Sequence, residues 1–229
     1  MKLRIALGEL TYVERLYIYH YLPGSIALHV VLQWNPPATV PELQGTYGKE
    51  YYLEEIMHKA DSYKVRHIVF DGPLPTEAAE KLIEEGYYVS VRYVEPLNLP
   101  EEANLFLASP LKDVPKREWL EVAVNSFQEA ERVPKEVPIH TFKYEIYEEL
   151  YERQGYYYVY NHDQPLREDT RCPRCKTPNA IREMGRLIAW DGPQCRKCGY
   201  RIKYKVAELP KPSPRLHEIL AWQTSFVVI

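Results

Sequence analysis

Arg66-His67-Ile68-Val69-Phe70-Asp71-Gly72-Pro73-Leu74-Pro75-Thr76 is the stretch from which the fold of this chain is read. Arg66 to Phe70, rich in β-branched and aromatic side chains, reads as a buried strand, and Asp71 to Pro75 turns the chain in a tight loop. Thr76 is placed to cap a helix that buries Ala79, Leu82 and Ile83 and stops at Gly86. Tyr87 to Tyr93 then returns as a strand. A strand, a short loop, a helix and a strand in immediate succession form the unit of a parallel sheet with helical crossovers.

The same rhythm extends both ways. Upstream, Ser25 to Gln33 is a short apolar run interrupted by His29, bounded by Pro23-Gly24 and Asn35-Pro36-Pro37, and reads as a buried strand. Trp34 to Gly48 is rich in Pro and Gly and reads as a loop. Glu50 to Tyr63 reads as a helix, because Leu53, Ile56, Met57 and Ala60 make one stripe. Downstream, Asn104 to Ala108 is a strand, and Val114 to Arg132 is read as a helix with Leu120, Ala123, Val124 and Phe127 on one face. Val137 to Phe142 is extended. Lys143 to Gln154 is a helix carrying Tyr144, Tyr147 and Tyr151, and Gly155 ends it. Tyr156 to Tyr160 is a strand whose tyrosines are read as core bulk rather than base-stacking platforms.

All four cysteines fall in one 27-residue window, as Cys172-Pro-Arg-Cys175 and Cys195-Arg-Lys-Cys198. Two C-x-x-C turns, each aiming two thiolates at a common point, make a tetrahedral zinc site with the spacing of a zinc ribbon. Disulfides, a redox C-x-x-C and a rubredoxin-like iron site are the rival readings. The expected organisation is an α/β domain over 1–168, a ribbon over 169–206, and a Pro-rich linker with an apolar tail over 207–229.

Hydrophobic content of 45% and charged content of 27% belong to an ordinary globular protein. The apolar runs are too short to span a bilayer, and Glu9 breaks the N-terminal one, so neither a membrane span nor a signal peptide is read. Cysteines in metal spacing fit a reducing, cytoplasmic compartment. Twenty Tyr and nineteen Pro suggest a heat-adapted source. The net charge of −3 conceals an asymmetry: residues 171–205 hold ten basic and two acidic residues, +8, which leaves −11 for the rest.

Four segments, in order, resemble one family. They are Leu16-Tyr-Ile-Tyr-His20-Tyr-Leu-Pro-Gly-Ser25, Val137-Pro-Ile-His140-Thr-Phe142, Glu152-Arg-Gln-Gly155-Tyr-Tyr-Tyr-Val-Tyr160-Asn161, and the ribbon with its cysteines. Together they are similar to the radical SAM proteins of the AmmeMemoRadiSam system, relatives of pyruvate formate-lyase activating enzymes. The resemblance implies a truncated, partial (β/α) barrel, shortened between Glu95 and Val137, with a C-terminal zinc ribbon. It also implies an iron–sulfur cluster on three cysteines after the first strand, where the open iron binds SAM. The matching positions here are Trp34, Ala38 and Pro41, none of which ligates iron, and the acidic residue of the family's SAM-binding turn is replaced by Leu74. The expectation is therefore zinc, with iron as the alternative metal, and neither an iron–sulfur cluster nor SAM.

A frame of this family without its cofactor residues points to a catalytically inactive scaffold or regulatory subunit. Its partner would be a protein, either a catalytic paralogue or a second copy of the chain. One alternative is nucleic-acid binding through the ribbon's basic residues: Arg174, Lys176, Arg196, Lys197 and Arg201, with Arg171, Arg182, Arg186, Lys203 and Lys205 beside them. Another is a different chemistry in the remnant cavity, for which His20, His140 and Asn161, together with Asp71, are the candidate lining residues.

Overall fold

Among the described residues, seven strands run parallel and follow one another across one sheet in sequence order. The computed structural model describes residues 1–33, 48–163 and 167–229. Within them the chain forms β1 (Lys2–Tyr12), β2 (Ile26–Leu32), β3 (Lys49–Tyr52), α1 (Leu53–Ser62), β4 (His67–Asp71), α2 (Thr76–Glu84), β5 (Tyr88–Tyr93), β6 (Asn104–Leu107), β7 (Leu120–Ala123), α3 (Phe127–Ala130), β8 (Ile139–Thr141), α4 (Tyr144–Tyr147) continued by a π-helical turn (Glu148–Arg153), β9 (Val159–Asn161), β10 (Arg167–Arg171), β11 (Pro178–Glu183), β12 (Arg186–Trp190), α5 (Pro214–Trp222) and β13 (Phe226–Val227). The large sheet has the order β13-β1-β2-β4-β5-β6-β7-β8-β9, with β3 also on β1, and its pairings from β2 through β9 are all parallel. Parallel steps in one direction put successive crossovers on one face. β10, β11 and β12 make a separate antiparallel sheet.

The crossover face is apolar. Leu53, Ile56 and Ala60 of α1 and Ala78, Ala79 and Leu82 of α2 share one core with Ile68, Phe70, Val89, Val91, Leu105, Leu107, Val122 and Ile139. Each buried Leu or Ile is worth about 1.5–3 kcal/mol, which is what holds helices this short in place. Glu55 accepts a hydrogen bond from the Tyr52 N–H at the start of α1. Thr76 is the first residue of α2 rather than its cap, and its hydroxyl donates to the Asn98 carbonyl. Because side chains alternate along a strand, the opposite face carries His29, His67, Ser90, Asn104, Glu121, His140 and Tyr160, and all of these are buried.

The helix read over Val114 to Arg132 is not formed. Leu120–Ala123 is instead a central strand between β6 and β8, and a single helical turn follows after Ser126. Leu120 and Val122 enter the apolar core while Phe127 is 40% exposed, so the helical stripe was a coincidence of spacing. Pairing with both neighbouring strands satisfies this backbone and keeps the sheet continuous. β1, for which no strand was read, lies antiparallel to β2. Trp34, Ala38 and Pro41 lie outside the described residues.

The C-terminal tail returns to the large sheet. Leu216 and Leu220 are buried, β13 pairs with β1, and Arg15 donates to the carbonyls of Leu220 and Gln223. Gly8 makes room for this: a Cβ there would lie 2.7 Å from the Ile229 Cβ. No helix among the described residues is long and apolar enough to cross a membrane.

Candidate functional site

The two cysteine turns are built alike. Cys172 and Cys175 follow β10, and Cys195 and Cys198 follow β12. In the first turn Lys176 N–H donates to the Cys172 carbonyl and in the second Gly199 N–H donates to the Cys195 carbonyl, both at 2.8 Å. Lys176 (φ 58°) and Gly199 (φ 71°) both take the left-handed conformation that such a turn requires. The turns face each other, so the four Sγ atoms lie within 4.8 Å of one another. Cys172 and Cys198 are 3.5 Å apart, and Cys175 and Cys195 are 3.6 Å apart. Thiolates ~2.3 Å from a central zinc stand about 3.8 Å from each other. The donor set therefore fits a bound metal ion, and four cysteines suit an iron–sulfur cluster equally.

Behind the metal site, Cys172 and Cys195 pack against Tyr19, Tyr158, Tyr160, Ile202 and Tyr204. These tyrosines lead to a buried polar network on the inner face of the large sheet. Glu121 of β7 accepts the N–H groups of Tyr19 and His20 and meets His140 Nε2 of β8 at 3.2 Å. His140 Nδ1 meets His162 Nε2 at 2.9 Å. His162 Nδ1 lies against Glu168 of β10, which also accepts the Tyr19 hydroxyl. Into this group β11 inserts Arg182, 1% exposed, which donates to the Thr170 hydroxyl and the Tyr19 carbonyl and lies 4.1 Å over the Tyr19 ring.

The direction of one branch follows from its ends. His20 Nδ1 faces the Lys203 carbonyl at 2.8 Å, so it carries the proton and Nε2 accepts from the Tyr160 hydroxyl at 2.7 Å. Tyr160 in turn accepts from Thr170, and Thr170 from Arg182. This branch is complete with a neutral imidazole, and burial holds His20 down at about 4. Burial, and then the charge of His162, also lowers the pKa of His140. Burial raises Glu121, and takes Glu14, beside Arg182, up to about 7.

A second group stands at the carboxyl ends of β2, β4 and β5. His29 lies between Glu9 and Asp71, 3.1 Å from each, and Arg92 reaches Asp71 at 3.4 Å. Burial opposes a charge on His29, but its hydrogen bonds to Asp71 and Glu9 outweigh it and raise the pKa. The Phe106 ring separates the two groups, close to both Arg92 and His140.

The residues read from sequence are thus distributed. His20 and His140 share Glu121 and Tyr160, with both ring nitrogens of each engaged. Asp71 belongs to the second group. Asn161 accepts the Asp163 N–H and faces a separate cleft of about 350 Å³ lined with Tyr147, Tyr151, Arg167 and Arg171. The four do not converge on one cavity. Arg174, Lys176, Arg196, Lys197 and Arg201 are exposed; Arg196 pairs with Asp191, and Lys176 lies over the Tyr151 ring. Arg182 is enclosed and is not free to meet a phosphate. Glu121 and Glu168 were not picked out as site residues. Their signal was a charged group inside, or at the end of, a run of strand-forming residues.

No protein-family model matches the chain, and no curated protein matches it. Among solved structures it is similar to the crystal structure of QueE from Escherichia coli, at 10% identity and a TM-score of 0.45, over 69% of this chain and 93% of that one. The fold therefore stands on its own strand pairing, and the site on its own residues.

Proposed function

We propose that this chain is a zinc-holding scaffold or regulatory subunit: a partial (β/α) barrel of radical SAM descent, residues 1–168, with a zinc ribbon over 169–206 and a linker and tail over 207–229. It keeps the frame and has lost the radical chemistry. The observation that carries this reading is Arg182. A side chain from the ribbon occupies the inner face of the sheet, where a substrate would otherwise lie, and donates there to the Thr170 hydroxyl and the Tyr19 carbonyl. Leu74, which stands for the family's acidic SAM contact, is 3% exposed in the apolar core. The partner is a protein, either a catalytic paralogue or a second copy of the chain, met in a reducing cytoplasm.

Elemental analysis of the purified chain, followed by anaerobic reconstitution with iron and sulfide, tests the reading. About one zinc per chain and no SAM cleavage are expected. A reconstituted cluster that cleaves SAM overturns it.

The exposure of Arg174, Lys176, Arg196, Lys197 and Arg201 around the metal turns favours a second reading, binding of nucleic acid through its phosphates. It predicts retardation of RNA or duplex DNA that weakens steeply with salt. Absence of salt-dependent retardation removes it.

A further inference from the structure

Lys64 stands where the backbone calls for a glycine. At the end of α1 the Val65 N–H donates to the Ala60 carbonyl and the Lys64 N–H to the Asp61 carbonyl, both at 2.9 Å. Helix α2 ends in the same way. There the Tyr87 N–H donates to the Leu82 carbonyl and the Gly86 N–H to the Ile83 carbonyl, again at 2.9 Å. This pair of bonds puts the residue after the cap in the left-handed region, which glycine enters freely and other residues enter with strain. Gly86 takes it at φ 82° and Lys64 at φ 57°. The turn favours glycine at both places, so α1 keeps a lysine side chain against the local preference. Leu22, a bulky residue at φ 56°, is strained in the same sense.

Both strained residues line one cavity of about 260 Å³. It lies where the segments leading into β2 and β4 meet the end of β12, the linker and α5. The Leu22 N–H donates to the Lys205 carbonyl at 3.0 Å and so ties the linker to this wall. Ile26, Val65, Trp190, Leu209 and Pro212 give the cavity an apolar lining, and the Trp190 indole nitrogen is buried without a hydrogen-bond partner. Lys64, Arg66, Lys205 and Lys211 also line it, and among the described residues no acidic one does. The chain as a whole has 32 acidic residues against 29 basic, so this wall runs against its balance. Arg66 is engaged by Asp61 at 3.2 Å, and Lys205 lies over the Trp119 ring. Lys64 and Lys211 form no ion pair among the described residues.

We propose that this cavity binds a small organic anion, one carboxylate or phosphate head on an apolar body. The body lies against the apolar lining, and Lys64 and Lys211 meet the head. A largely apolar hollow with a few polar groups, set where structural units join, is the usual form of a ligand site. Two ammonium groups that no carboxylate of the chain neutralises supply the charge, and the indole N–H supplies a further donor. Inorganic phosphate satisfies the cations and leaves the apolar lining uncovered. A neutral molecule covers the lining and leaves the cations unmatched. The site is separate from the cysteine turns and does not depend on what they hold. Its walls come from the large sheet, the small sheet and the linker, so an occupant joins all three.

Isothermal titration of the full chain with four probes is the test: 2-naphthoate, 2-naphthyl phosphate, neutral 2-naphthalenemethanol and inorganic phosphate. One naphthyl anion per chain is expected, half-saturating at about 1 mM or below, and the tighter of the two identifies the head group. The alcohol and inorganic phosphate should each bind about tenfold more weakly or worse. Lys64→Gly should lower the affinity for the naphthyl anion about fivefold. It should leave the urea midpoint equal or higher, because glycine relieves the turn. Loss of binding without loss of stability separates a ligand role from a structural one. Lys211→Gln should weaken binding to a similar extent and leaves the turn untouched. The proposal is overturned if neither naphthyl anion binds, if the alcohol binds as tightly, or if both variants keep full affinity.

Discussion

Replacing Arg182 by Met tests whether the small sheet is fixed to the large one by charge. Methionine has comparable bulk and bends to fill irregular space, so the cavity cost is small. The substitution removes a cation 1% exposed, its bonds to Thr170 at 2.8 Å and to the Tyr19 carbonyl at 3.0 Å, and its stacking on the Tyr19 ring. Glu14, Glu121 and Glu168 then share a buried space without a compensating charge. Breaking a buried charge pair from one side costs about 3–5 kcal/mol. That is a large part of the roughly 5–15 kcal/mol that holds a typical domain together. Arg182 lowers the pKa of Glu14 and Glu121. Without it the carboxylates take up protons more readily, so the penalty is largest at high pH and shrinks toward pH 5. Urea denaturation followed by circular dichroism at pH 5 and pH 8 measures both effects. Arg182→Lys, which keeps the charge and loses the planar donor set, should fall between wild type and Met. A loss below about 1 kcal/mol, or equal losses at the two pH values, would refute the argument.

Other perturbations address single links. Cys172→Ser removes one of the four thiolates and should abolish stoichiometric metal binding in elemental analysis, with the large sheet retaining its circular dichroism. Leu220→Ala, at a fully buried position of α5, should cost about 2–5 kcal/mol in urea denaturation if the tail is part of the core. Glu14→Gln keeps an acceptor for the Gly24 N–H and removes a carboxylate that burial takes up to about 7. A raised carboxylate pKa means stability present below the unfolded value and lost as pH rises to about 7. The variant should therefore match wild type near pH 4.5 and exceed it at pH 8, by up to about 3 kcal/mol.

The parts of this fold that were legible are those whose signal is local. His67 to Asp71, the turn at Gly72 and the stripe of α2 lie within one short stretch, and the structure forms each element there. The cysteine turns were legible for the same reason, since a C-x-x-C pair makes half its site by itself. β1 was missed because the alternation begun by Leu3 and Ile5 changes parity before Leu10 and Tyr12, at a register shift between Ile5 and Leu7. β7 was misread because Leu120, Ala123, Val124 and Phe127 satisfy helical spacing, and only pairing with β6 and β8 decides against it. The polar network lay beyond reach for a different reason. Glu121, His140, His162, Glu168 and Arg182 come from separate segments, and register between strands distant in sequence brings them together.

The candidate metal site and the network share the same small sheet. Three strands of five or six residues are marginal when left alone. One end of β10 leads into Cys172, its middle carries Glu168 and Thr170, and β11 carries Arg182. Whatever orders the cysteine turns also orders the strands that deliver these groups, so the two sites share one cooperative unit. Coupling of this kind is reciprocal: if the metal stabilises the network, the network raises metal affinity by the same factor. Hydrogen exchange on chelator-treated protein reads it directly. The N–H groups of Tyr19 and His20 donate to Glu121 rather than to any cysteine. Their protection should fall together with that of β10 when the metal is removed. Full protection at Tyr19 and His20 in the metal-free chain would show that the network stands without the metal, and that the four thiolates hold only their own turns.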